Sequence, residues 1–303
     1  MAVKRPNPKK DKSARRPRPP RPGTFTAGFL DPAHRNRLNQ ITLQADGKAP
    51  PEAFVPVLLT TTWAGAQIGM RANYCVDACR TLGYALGELG ILTELRAAEV
   101  IIRDENTGGM VECAPLSPRW NGKELDGHCI LTLPDQGRYI DATLEQFPGM
   151  AELRGGPAVG RCGGMLDPRT GKFSAGHSVV RIPEGGNIAL KRGPLMVLYT
   201  LSSDADTSAI VAHPNVQQGE PLFRRAAMNL ISIVLGYVRE TSYLPVALRD
   251  TPFPRLHALM DAIGDAPISR TDGGDALFTI DGRAMRLDEI ALPAGTAPAV
   301  APA

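Results

Sequence analysis

Residues 128–143 constrain the fold more than any other stretch. His128–Leu133 and Arg138–Thr143 both alternate like strands, and Pro134-Asp135-Gln136-Gly137 between them has the composition of a turn. Two strands joined by so short a connection pair antiparallel. Side chains alternate across a strand, so His128, Ile130 and Thr132 share one face, and Tyr139, Asp141 and Thr143 share one face of the next strand. With an even loop, paired residue numbers add to an odd total, and His128 lies opposite Asp141 or opposite Thr143. In either register His128 and Asp141 occupy the same face, about 5–8 Å apart at the backbone, within reach of a carboxylate–imidazole hydrogen bond. A slip of one residue separates them, so the expectation is specific.

Upstream, residues 74–89 read as a helix, with Asn73 as N-cap and Gly90 just past its end. Cys75 then lies in the first turn, where unsatisfied N–H groups and the positive end of the helix dipole favour a thiolate, the nucleophilic form. The plainer alternative for any free cysteine is a small buried residue, and Cys79, one turn on, is read that way. Cys75, Cys79, Gly83 and Gly87 recur every four positions and form a small-residue stripe. Each glycine costs about 1 kcal/mol of helix propensity against alanine. Close approach of the helix to a sheet, with its N-terminus aimed there, is the expected compensation.

A thiolate at a helix start, an imidazole and a carboxylate that fixes the imidazole are the parts of a nucleophilic acyl-transfer site. The sequences that supply them are Asn73-Tyr74-Cys75-Val76-Asp77-Ala78, Gly127-His128-Cys129-Ile130-Leu131 and Tyr139-Ile140-Asp141-Ala142-Thr143. In order and setting they resemble the transglutaminase-like superfamily, over about residues 55–148. The resemblance implies an α+β, papain-like core in which a Cys-bearing helix packs on an antiparallel sheet. It also implies Cys75, His128 and Asp141 as a triad working through a thioester, on a peptide, protein or small amide substrate. Two departures bear on the wall of the site: Tyr74 stands where the family often has Trp before the Cys, and Ile130 where it often has an aromatic after the His. Tyr74 and Trp120 are candidate groove residues, Trp120 being equally suited to anchoring its loop. The Cys75 backbone N–H is a candidate oxyanion donor and Gln67 a second.

Two rivals arise. Gly176-His177-Ser178-Val179-Val180 imitates the segment around His128, but no Asp follows on a matching strand. Cys75, Cys79, Cys113 and His128 could in principle bind zinc, yet the usual Cys-x2-Cys knuckle is missing, and Cys129 alternates away from His128. No cofactor or metal is assigned. His34, His213 and His257 have no nameable partners.

Composition sets the remaining bounds. Residues 1–22 carry nine Lys or Arg against one acid, while the rest of the chain has 25 basic and 30 acidic residues. That proline-rich segment cannot bury apolar surface and reads as a disordered basic arm. It is either a solubilising tail or a weak polyanion contact. An inactive transglutaminase-like scaffold binding nucleic acid or an acidic partner through this arm is therefore the alternative function. Five cysteines, an odd number, fit reduced thiols in a cytoplasmic protein better than a disulfide framework. No apolar run approaches a membrane span, and none follows the basic N-terminus as in a secretory signal.

The expected organisation is an arm over 1–22, the core over 23–215, a helical extension with a small hairpin over 216–290, and a flexible Ala/Pro tail over 291–303. Within it, helices are expected over residues 52–64, Pro221–Glu240 and Pro254–Ile263, and strands at Leu95–Arg103, Gly109–Ala114, His177–Ile182 and Leu195–Leu201. Gly65 marks the end of the first helix, and a hairpin turns at Asp281-Gly282.

Overall fold

The computed structural model describes residues 50–66, 74–147, 149–153, 155–162, 164–166, 173–175, 182–241, 243–294 and 298–299. The basic arm, Gln67, Asn73 and His177 lie outside them.

A single turn, Pro51–Ala53, leads into α1 (Phe54–Ala66), which runs through Gly65 instead of breaking there. α2 spans Cys75–Glu88. Its N-cap is Tyr74, not Asn73, and no side chain caps it, so Cys75 is the first helical residue. At the other end Gly90 takes φ +82°, its N–H donates to Gly87 O at 3.0 Å, and Ile91 N–H donates to Leu86 O at 2.9 Å. That is the double closure expected of a glycine past a helix end.

The strands follow in order: β1 (Glu94–Asp104), β2 (Met110–Ala114), β3 (Arg119–Asn121), β4 (Glu124–Asp126), β5 (His128–Leu133) and β6 (Arg138–Asp141). After the short α3 (Met150–Leu153) come β7 (Ala158–Arg161), β8 (Gly164–Leu166), β9 (Phe173–Ala175), β10 (Asn187–Arg192) and β11 (Leu195–Leu201). The chain closes with α4 (Asp204–Val211), α5 (Pro214–Arg239), α6 (Leu244–Arg249), α7 (Pro254–Ile263), β12 (Ile268–Arg270), β13 (Ala276–Ile280) and β14 (Arg283–Met285). The fold is α+β.

The main sheet is antiparallel in the order β10-β11-β1-β5-β6-β7. β1 is its spine. β11 pairs with residues 98–104 of β1, and the other edge of β1 is shared by β5 at 94–98 and β2 at 100–103. The β5–β6 turn uses Gly137 at φ +57°, and Leu131 pairs with Ile140 and Leu133 with Arg138. Continuing that register sets His128 opposite position 143, with Asp141 the diagonal neighbour on the same face. β6 itself ends at Asp141, short of the expected Thr143.

The sheet separates two cores. Cys129, Leu131, Leu133, Ile140 and Ala142 pack with α1, α2 and α5 on one face. Ile130, Tyr139, Val100, Val197, Tyr199, Leu144 and Phe147 fill the other. Tyr139 and Tyr199, on strands three apart in the sheet, have ring centroids 5.7 Å apart. Three spacings in a flat sheet are about 14 Å, so the sheet curls around this second core.

α5 begins at Pro214, earlier than the expected Pro221, because His213 caps it: Nδ1 accepts from Asn215 N–H at 3.3 Å. Pro221 sits inside the helix, and Leu222 is 38% exposed while Phe223 takes the buried position. α5 packs along α2, and Arg80 of α2 pairs with Glu220 of α5. The small-residue stripe has a different neighbour than expected. A methyl group at Gly83 would make ordinary contact with Thr93 and Leu131, whereas one at Gly87 would meet Ala299 O at 2.9 Å. The tight approach is therefore to the C-terminal chain rather than to the sheet. Asp281 and Gly282, at φ +49° and +75°, make the expected two-residue hairpin turn, and β12 adds a third strand. Among the described residues no helix is long and apolar enough to cross a membrane.

Candidate active site

The first residue of β5 and the last of β6 meet directly: His128 Nε2–H donates to Asp141 Oδ2 at 3.0 Å. Both are held from several sides. Tyr199 Oη–H donates to the same Oδ2 at 2.9 Å, while Oδ1 accepts from Thr143 N–H at 3.0 Å and Thr143 Oγ1–H at 3.3 Å. A buried carboxylate with four donors is fully satisfied, the condition under which burial is tolerated. The His128 ring lies edge-on to Phe147 at 5.0 Å and over Tyr199 at 6.4 Å. Its other nitrogen, Nδ1, is 3.0 Å from the side-chain amide nitrogen of Gln146.

Cys75 comes to this pair from α2, which covers the opposite face of the sheet. Strand alternation puts Cys129, not His128, on the side facing α2, where its thiol acts on Cys75. His128 opens β5, and there Cys75 interacts with its ring as well. Cys129, set aside in the sequence because it alternates away from His128, therefore belongs to the site through the thiol. Cys75, His128 and Asp141 are 1%, 0% and 1% exposed.

The electrostatics follow from these contacts. The Cys129 hydrogen bond holds the Cys75 thiol well below its usual range; burial opposes this, and His128 assists through a hydrogen bond and its charge. Burial works against a charged His128, but the Asp141 carboxylate and the Cys75 sulfur outweigh it and push its pKa up to about 10. Burial likewise opposes charge on Asp141, but the His128 charge and the donors around the carboxylate hold its pKa below the ordinary value. The favoured pair is thiolate and imidazolium. Cys129 and Cys79 are both pushed well above the ordinary thiol range, the former chiefly by its bond to Cys75 and the latter by burial, so each remains a thiol.

Asp77, two residues into α2, is a further titratable neighbour. Burial, reinforced by the Cys75 charge, raises its pKa to about 7. A carboxyl raised on folding favours the fold below its unfolded value of about 3.9 and loses that contribution as pH rises through the folded value. Asp77→Asn is therefore expected to stabilise the protein by a gain that grows between about pH 4 and pH 7 and then levels off at a few kcal/mol. Urea melts at pH 4 and pH 8 measure it, and an equal effect at both contradicts the burial argument.

No family model, curated protein or solved structure matches this chain. The site thus rests on its own geometry. Trp120 stacks on His213 at 4.1 Å and 14°, tying the β3–β4 hairpin to the start of α5, so loop anchoring describes it. Tyr74 packs half-buried against the first core beside the helix start. His257, without a nameable partner in the sequence, lies 2.9 Å from Leu248 O and 3.2 Å from Thr251 Oγ1. Cys113 is on β2, its Sγ 3.8 Å from Val111 O. Among the described residues no group of three or more His, Cys, Asp or Glu is placed to hold a metal ion. Sequence reasoning missed Gln146 and Tyr199 as members of the site.

Proposed function

We propose that the protein is a cysteine-dependent acyltransferase or amidohydrolase on a transglutaminase-like, papain-like core. Cys75 is the nucleophile, His128 the acid and base, and Asp141 the residue that orients the imidazole. The observation that carries this reading is the buried His128–Asp141 bond, with a low-pKa thiol at a helix start interacting with the same ring.

The thiolate attacks the carbonyl carbon of an amide or ester. The oxyanion forms near the first turn of α2, where the Cys75 N–H is the candidate donor. The imidazolium N–H protonates the departing amine, leaving a thioester on Cys75. Water or an acceptor amine then attacks, His128 takes its proton, and the thiolate leaves. As pH rises through about 10, His128 loses the proton it must give the leaving group, so turnover falls there.

One observation favours a second reading. All three side chains are almost wholly buried, as in a scaffold that keeps the triad as an internal brace. The experiment that separates the two uses an activated ester, p-nitrophenyl acetate, and mass spectrometry. The enzyme reading expects one acetyl group on Cys75, removed by hydroxylamine and lost in Cys75→Ser. No acetylation of Cys75 in the native protein sinks it in favour of the scaffold. Adding an amine to the acetylated enzyme then distinguishes transfer from hydrolysis.

A further inference from the structure

Both nitrogens of His128 are occupied. Nε2–H points at Asp141, so the thiol proton can only be received at Nδ1, and Gln146 is on Nδ1 at 3.0 Å. Which end of the amide faces the ring is settled by the neighbouring hydroxyl. Thr143 Oγ1–H is donated to Asp141 Oδ1, so Thr143 Oγ1 must accept from Gln146, whose amide nitrogen lies 3.3 Å away. The same amide nitrogen then donates its second hydrogen to Nδ1. This wiring suits a neutral imidazole. When Nδ1 carries a proton, two donors face each other, and the amide must turn to offer Oε1, giving up its bond to Thr143.

We propose that Gln146 is a positioning residue that biases the proton between Cys75 and His128, its amide nitrogen opposing the imidazolium that the neighbouring charges favour until the side chain turns. The inference rests on the thiol–imidazole couple of the proposed function. Besides Gln146, the groups facing the ring are Asp141 from β6, Cys75 from α2 and the neutral Tyr199 from β11, with Phe147 apolar. Around Cys75 stand Cys129, Cys79 and Asp77. Unlike Cys75, Gln146 can present either a donor or an acceptor to Nδ1 without changing its own charge.

The test follows the alkylation rate of Cys75 against pH and needs no substrate. Gln146→Met keeps length and packing but removes the donor. Below the titration midpoint it should raise the rate about three- to tenfold, the worth of one hydrogen bond, with the midpoint moving to lower pH. Gln146→Glu places an acceptor on Nδ1 and should lower the midpoint further. It is read in the same way if the Met variant does not fold. A Met midpoint equal to or above that of the unaltered protein overturns the proposal, since a packing role alone leaves it in place. His128→Ala separates the two levels. If it fails to raise the midpoint, the thiol–imidazole couple falls and Gln146 falls with it. If it raises the midpoint while Gln146→Met moves nothing, only the Gln146 role is lost.

Discussion

Asp141→Ala is expected to cost the fold about 3–5 kcal/mol, the penalty for removing one member of a buried charged pair. The reason lies in what remains. His128 Nε2–H, Tyr199 Oη–H and two donors of Thr143 lose their acceptor at once, in a place that water does not reach. Asp141→Asn keeps the shape and one acceptor, and should cost less while lowering the His128 pKa. The two variants, compared by urea unfolding at pH 7, separate the hydrogen-bond network from the charge. The unaltered protein should also show the linkage. A carboxyl held below its ordinary pKa contributes stability above its unfolded value of about 3.9, lost as pH falls through the folded value. A histidine raised to about 10 contributes below its unfolded value of about 6.5. That contribution is lost as pH rises through about 10. A loss under about 1 kcal/mol in Asp141→Ala would mean that the network does not form in solution.

At pH 6, iodoacetamide is expected to label Cys75 ahead of the other four cysteines by about 100-fold or more, because the thiolate is the reactive form. Cys79, Cys113, Cys129 and Cys162 are all pushed upward, so at that pH they are thiols. His128→Ala should slow Cys75 by at least about tenfold at pH 6 and leave the rate climbing with pH, as for an ordinary thiol. Peptide mapping after timed exposure measures both. Labelling of all five cysteines together, and only on unfolding, would support the inactive scaffold. Burial does not by itself protect Cys75 from a small reagent, since local opening admits molecules that the average structure excludes.

The hairpin was legible because strand alternation and a turn of four residues leave few registers, and the structure uses one of the two expected. α2 was legible in length but not at its first residue, since Tyr74 makes no capping bond that a sequence could advertise. α4 carries a start signal in its sequence: Ser203 accepts from Asp206 N–H at 3.0 Å, a serine cap with an acid three residues on. β10 is an edge strand in which Ile188, Ala189 and Leu190 run together without polar alternation, too little periodicity to separate it from a loop. Tyr199 and Gln146 were out of reach for a different reason. Tyr199 meets Asp141 only because the sheet curls, and Gln146 reaches His128 only through the turn Leu144–Gln146. Neither fact is local in the chain. Cys129 shows the limit of alternation as a filter: it excludes a residue from one partner while delivering it to another.

α5 seals the first core against the helix that bears Cys75. During synthesis, Cys75, His128 and Asp141 emerge long before the segment that completes their surroundings. A ribosome-bound chain ending before residue 214 holds all three groups but lacks the wall behind α2. The surroundings of Cys75 therefore close only once residues 214–239 have been made, about 70 residues after Asp141 has left the ribosome.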